Sequence, residues 1–284
     1  MEAVFRHTLF RFRGRILAWG LGLGALGLFV IPFYDVYLEQ EEQMLQVMES
    51  YPPEVLAFFG GMAAITTPEG FLNGQLATLP LILGIFAVLA GSALLARDEE
   101  SGRLDLILAH PVSRLSLFGG RLAAFVAATF AILTLCWLGF SIPLGGSSLD
   151  VNWGQMALPF LSVLAVVLAF GTLALLLSML LSSRRQASAT AGGVMVASFF
   201  LSGLANLNAD LEPFARVLPY EYFQGGNAIN GLDLAWFAGL LAVSAFFSAL
   251  AGWRFQRRDI RVGGERSLGL ALPAFLSHLR RTSS

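Results

Sequence analysis

Lysine is missing altogether, and all 18 basic residues of the 284 are arginine. Without an ammonium side chain the chain cannot build the phosphate-binding Walker loop, whose lysine holds the β and γ phosphates of ATP, and it cannot form a Schiff base. It is therefore not expected to hydrolyse ATP by itself. Charge of either sign is scarce: 13% of residues are charged, against about 25% in a soluble domain. With 56% hydrophobic residues and a mean hydropathy of +0.70, such a chain cannot cover a water-facing surface. Cys136, the only cysteine, lies in an apolar run, which excludes an internal disulfide. The three histidines, His7, His110 and His278, are far apart, and no HExxH or Gly-x-Ser-x-Gly pattern occurs. Neither a metal centre nor a catalytic nucleophile is expected.

What is present in quantity is apolar sequence in blocks. Crossing a bilayer as helix takes roughly 17 to 25 apolar residues, and six stretches qualify: 16–34, 74–96, 120–143, 156–182, 188–208 and 232–253. The first follows Arg6, Arg11, Arg13 and Arg15 as a signal peptide would, but it is long, lacks a small-residue cleavage site and precedes five more spans. The expected fold is all-α and integral to the membrane, with residues 1–284 forming one transmembrane domain. No span carries a charge near its middle, which argues against a proton- or sodium-coupled carrier, because a relay needs groups that change charge. The spans offer Ser92, Thr129, Thr134, Ser162, Thr172, Ser198, Ser202 and Asn206 instead, read first as interhelical hydrogen bonds.

Loops rich in arginine stay on the cytoplasmic side. With the N-terminus inside, the inner segments hold four arginines before the first span, four between 97 and 121, Arg184 and Arg185, and seven after 253; the outer segments hold Arg216 alone. Twelve of the 19 acidic residues fall outside, among them Asp35, Glu39, Glu41, Glu42, Glu49, Glu54 and Glu69. Both termini are thus expected in the cytoplasm, with the chain in the inner, cytoplasmic membrane.

Residues 1–15 form an amphipathic arm in which Phe5, Leu9, Phe12 and Ile16 recur at helical spacing while His7, Arg11 and Arg15 take another face. It reads either as an interfacial helix or as a flank that only orients the first span. The outer loop 35–73 is acidic, then carries Pro52 and Pro53 and an apolar stretch at 56–62, and is expected to form short helices on the membrane surface. The outer segment 209–231 contains Pro213 and Pro219, which rule out a continuous span and favour an outer hairpin before the sixth span. The tail, 254–284, begins with Arg254, Arg257, Arg258 and Arg261 and contains an apolar patch at 268–279 too short to span.

The loop after the second span runs Arg97-Asp98-Glu99-Glu100-Ser101-Gly102-Arg103-Leu104-Asp105-Leu106-Ile107-Leu108-Ala109-His110-Pro111-Val112-Ser113-Arg114, then Gly119-Gly120-Arg121. Glu99 and Arg103 make an i,i+4 pair in the favourable order, and Pro111 stops the helix. A short charged helix ending in a rigid turn is expected at the inner surface, a lever that a cytoplasmic protein can push. Its acidic pair, Gly, basic residue, Leu-rich turn and Pro-Val-Ser-Arg run resemble the ABC-2 type transporter permease family, the membrane subunits of type V-like ABC exporters. The similarity extends to the six-span layout, the loop near the fifth span and Phe255-Gln256-Arg257-Arg258-Asp259-Ile260 after the last; Arg121 stands where a lysine is common.

That resemblance implies a permease dimer whose two chains enclose a pore, driven by ATP-binding cassette ATPase subunits that carry ATP and Mg, with no cofactor on this chain and no nucleic acid as partner. It implies that the coupling helix after the second span, with Arg97, Asp98, Glu99, Glu100, Gly102, Arg103, Asp105, Pro111 and Arg114, meets the ATPase. The first and fifth spans, with Gly20, Gly24, Gly192, Gly193, Ala197, Ser198, Ser202 and Asn206, would face the dimer axis and pore; packing within one chain explains their small residues equally well. Pro219, Tyr220, Tyr222 and Gly225 would gate the outer exit. Charge-free spans suit a hydrophobic or amphiphilic cargo, such as a drug, antibiotic or lipid, better than a small ion. An ABC assembly with a mechanical or signalling role, and an ATP-independent carrier or channel, are the competing readings.

Overall fold

A computed structural model of the chain describes residues 1–52, 55, 66–102 and 113–257. All regular structure among these residues is helical, and six helical stretches are long and apolar enough to cross a membrane. The first is α1 (Glu2–Val30), in which the amphipathic arm and the first span form one unbroken helix. The arm is thus continuous with the first span and not a separate helix. No proline interrupts residues 2–30, and Gly14 alone is too weak a breaker to divide them.

Two short helices, α2 (Phe33–Glu39) and α3 (Glu41–Glu49), follow as expected of the acidic loop; residues 56–62 lie outside the described residues. The second span is divided into α4 (Pro68–Leu76) and α5 (Leu79–Ala93), each with a proline in its first turn, where no backbone N–H is missed. After α6 (Ala96–Glu100) come α7 (Arg114–Ser141), α8 (Trp153–Leu180), α9 (Arg184–Ala205), α10 (Glu212–Ala215) and α11 (Leu234–Arg257). Hydroxyl and amide caps set the helix starts. Ser113 Oγ accepts from the Ser116 N–H, and Ser183 Oγ accepts from the Gln186 N–H. Asn152 and Gln155 form a reciprocal capping box at α8.

α8 is the axis of the bundle, packing against α5, α7, α9 and α11, and it is the most buried of the spans. Lipid tails are as apolar as leucine, so close packing rather than hydrophobicity must hold these helices together. Phe125, Phe140 and Phe170 are fully buried, and the backbones of α5 and α8 approach so closely at Gly91 that a side chain there would strike the Gly171 carbonyl. α1 lies against α7: a Cβ on Gly20 would sit 2.6 Å from Leu135 Cδ1, and one on Gly24 would sit 2.9 Å from the Leu135 carbonyl oxygen.

Candidate functional site

The segment expected to form the coupling helix begins where α5 ends. α6 is one turn long and is closed by Gly102, whose φ of +66° is a left-handed conformation that glycine adopts without strain. Arg103, Asp105, His110 and Pro111 lie outside the described residues. The side chains that are described point in different directions and do different work. Asp98 turns inward: its Oδ2 accepts from Arg121 at 2.5 Å, and Arg121 donates also to the Leu94 carbonyl at 2.7 Å, both side chains being 7% exposed. Asp98 is therefore a buried tie to α7. Glu100 reaches sideways to α9, where its Oε1 accepts from the backbone N–H of Arg184 at 2.8 Å and its Oε2 lies 3.6 Å from the Arg184 guanidinium. Arg114 stays at the start of α7 and donates to the carbonyls of Phe255 and Gln256, satisfying the end of α11. Arg97 is exposed.

Sequence reasoning did not find these ties. The one signal was Arg121, a charge at the very edge of an apolar stretch, which needs a partner if the stretch is embedded.

At the other end of the bundle the chain between α9 and α11 folds as short turns, Ala209–Leu211, α10, Pro219–Tyr222 and Gly225–Asn230, with no continuous span. Tyr220 is its anchor. The backbone N–H donates to Ser198 Oγ at 3.1 Å, the hydroxyl donates to the Ala77 carbonyl at the break between α4 and α5, and the ring packs on Phe199 and Phe223. Burial pushes its hydroxyl pKa up, so it remains a donor. Gln224 donates its N–H to Ser162 Oγ at 2.9 Å, and Tyr222 donates its hydroxyl to the Arg216 carbonyl. Gly225 and Gly226 lie so close over α4 that Asn73 Oδ1 accepts the Gly226 N–H at 2.7 Å, while Asn227 and Asn230 bond Asn73 and Glu69. The hairpin is thereby fastened to α4, α8 and α9 at once. Beneath it a polar cavity of about 340 Å³ is lined by Asn73, Ser202, Asn206, Tyr220, Gln224 and Asn227, among others.

The small residues of the first and fifth spans part company. Gly20 and Gly24 are buried against α7 within the chain, so they are not free to face a second copy. Gly192 and Gly193 have open space where a Cβ would stand, and Gly193 and Ala197 are exposed. The hydroxyls expected to bridge helices mostly turn back on their own: Ser92, Thr129, Thr134 and Thr172 bond carbonyls three or four residues earlier. A hydroxyl in a helix always has that carbonyl within reach, so it needs no neighbour. Ser162 and Ser198 instead receive the hairpin, and the buried Ser202 Oγ has no hydrogen-bond partner among the described residues.

Comparison with known proteins agrees with this layout. No curated protein matches the sequence. Proteins of the ABC-2 family are membrane components of ABC transporters and work with ATPase subunits. The family model described as ABC-2 family transporter protein matches residues 15–260, nearly the whole bundle from α1 past α11, and the chain belongs to that family.

Proposed function

We propose that the chain is the transmembrane permease subunit of an ATP-driven ABC exporter. Two permease chains form the pore, and a separate ATPase subunit, which binds ATP and Mg, docks at α6. The arginine-rich end of the bundle is then cytoplasmic, and the hairpin at Tyr220 is the outer gate. One observation carries the reading: α6 is held to the third span by Asp98–Arg121 and to the fifth by Glu100–Arg184, so a push on this single turn reaches two spans together. The fifth span then transmits the movement to the hairpin through Ser198 and Tyr220. A cargo that is hydrophobic or amphiphilic fits spans without central charge.

The test is co-expression with a candidate ATP-binding cassette ATPase subunit, followed by reconstitution. The two proteins should co-purify, and Glu99→Arg with Glu100→Arg should leave the complex assembled and hydrolysing ATP while transport per ATP falls about tenfold or more. An unchanged ratio of transport to hydrolysis would remove α6 from the coupling path.

A further inference from the structure

We propose that the arginine-rich end of the bundle holds a binding site for one anionic glycerophospholipid, between α1 and the junction of α5 with α6. A cavity of about 200 Å³ lies there. Its polar wall is made by Arg11 and Arg15, one turn apart on α1, and by Arg97 on α6; its floor is the Asp98–Arg121 pair. Among the described residues Asp98 is the only carboxylate lining it, and Arg121 already occupies that carboxylate. Among the described residues Arg11, Arg15 and Arg97 make no ion pair. Arg15 is repelled by both Arg97 and Arg11, and Arg11 repels Arg121 as well. Four guanidiniums thus converge on one carboxylate, and a phosphate placed among the three unpaired forks relieves that repulsion with charge-assisted hydrogen bonds.

The rest of the site says where the phosphate comes from. The cavity is also lined by apolar groups, Ala90 and Leu94 on α5 and Phe12 on α1, with the Arg15 guanidinium 5.5 Å over the Phe12 ring. Arg11, Arg15, Ala18 and Gly22 follow one another at helical spacing along α1, and beyond the arginines this face is exposed and smooth, with open space at Gly22. On α5, Leu89 and Ile85 are about half exposed. Cationic below and apolar above, the site matches a headgroup with its acyl chains, as basic pockets between transmembrane helices do. An acidic segment of a protein partner would satisfy the arginines but leave the apolar flank without a use.

The experiment needs neither ATPase nor substrate. The purified full chain in neutral detergent is titrated with phosphatidylglycerol, phosphatidylcholine or inorganic phosphate and read by native mass spectrometry, with the thermal unfolding midpoint as a second measure. Phosphatidylglycerol should bind at one copy per chain and raise the midpoint, with phosphatidylcholine and inorganic phosphate well below it. Arg11→Gln with Arg15→Gln should weaken phosphatidylglycerol about tenfold. Arg6→Gln with Arg13→Gln, which removes two arginines of the same helix that do not line the cavity, should change it little. Gly22→Phe, filling the smooth flank, should weaken the lipid while the chain stays folded. Equal binding of the two lipids, equal loss in both arginine pairs, or inorganic phosphate competing as well as the lipid would overturn the proposal. So would binding of a short poly-glutamate peptide in preference to phosphatidylglycerol.

Discussion

Asp98 and Arg121 illustrate what a single residue does when its solvent is lipid and protein. Taking two charges out of water is costly, and their attraction offsets this only where geometry is close and the remaining donors are satisfied. Here the guanidinium has a second acceptor in the Leu94 carbonyl, so both conditions hold. Asp98→Asn should therefore destabilise the chain by about 3 kcal/mol, because Arg121 keeps its charge and loses its counter-ion. Adding Arg121→Gln should recover part of the loss, since the pair is then removed as a unit. Thermal unfolding of the two single variants and the double variant in detergent measures this, and strictly additive losses would show that the pair is not coupled. Arg121→Lys should cost less than Asp98→Asn but more than nothing, because one ammonium cannot span Asp98 and Leu94 as the planar fork does. The sequence marked Asp98 as part of a docking loop and gave no hint of its inward turn. Its partner is 23 residues away, and only the packing of α7 beside α5 brings the two together.

At the scale of the element, the glycines of α1 and α9 have opposite roles that residue type alone does not reveal. Gly24 faces the Leu135 carbonyl on a neighbouring backbone, which cannot move aside, whereas Gly193 faces open space. Gly24→Leu should overpack the α1–α7 seam by about 1–3 kcal/mol or more and sharply lower the yield of folded chain. Gly193→Leu should leave the isolated chain stable but weaken association of two copies, read by cross-linking in the membrane and by mass in detergent. Similar losses of fold in both variants would contradict the distinction. Helix count and order were legible in the sequence because long apolar runs have few alternatives to a membrane helix. Helix ends were less so. α7 starts six residues before the apolar run at 120 and α9 four before the run at 188, since Ser113 and Ser183 cap them in the charged region. Which small residues meet another chain was not legible, because spacing identifies a face but not its neighbour.

At the scale of the whole molecule, charge is sorted along the bundle axis. Arg11, Arg15, Arg97, Arg114, Arg121, Arg184 and Arg257 belong to one end, while Asp35, Glu69, Asp210, Glu212 and Asp233 belong to the other, with Arg216 tied to Glu212 at 2.5 Å. Retention of arginine on the cytoplasmic side makes this asymmetry an orientation signal of the whole fold. The chain offers a clean way to read it, because Cys136 is fully buried and should contribute little background to thiol labelling. Val217, 82% exposed between α10 and the Tyr220 turn, should become accessible to a membrane-impermeant maleimide in intact cells as Val217→Cys. Ser182, exposed just before α9 at the opposite end, should react as Ser182→Cys only after the membrane is opened. The two positions are separated by one passage of α9, so they must lie on opposite sides if that helix spans. Labelling of both in intact cells would mean that α9 does not cross the membrane. The reverse pattern would place the arginine-rich end outside, and with it α6, out of reach of any ATPase in the cytoplasm.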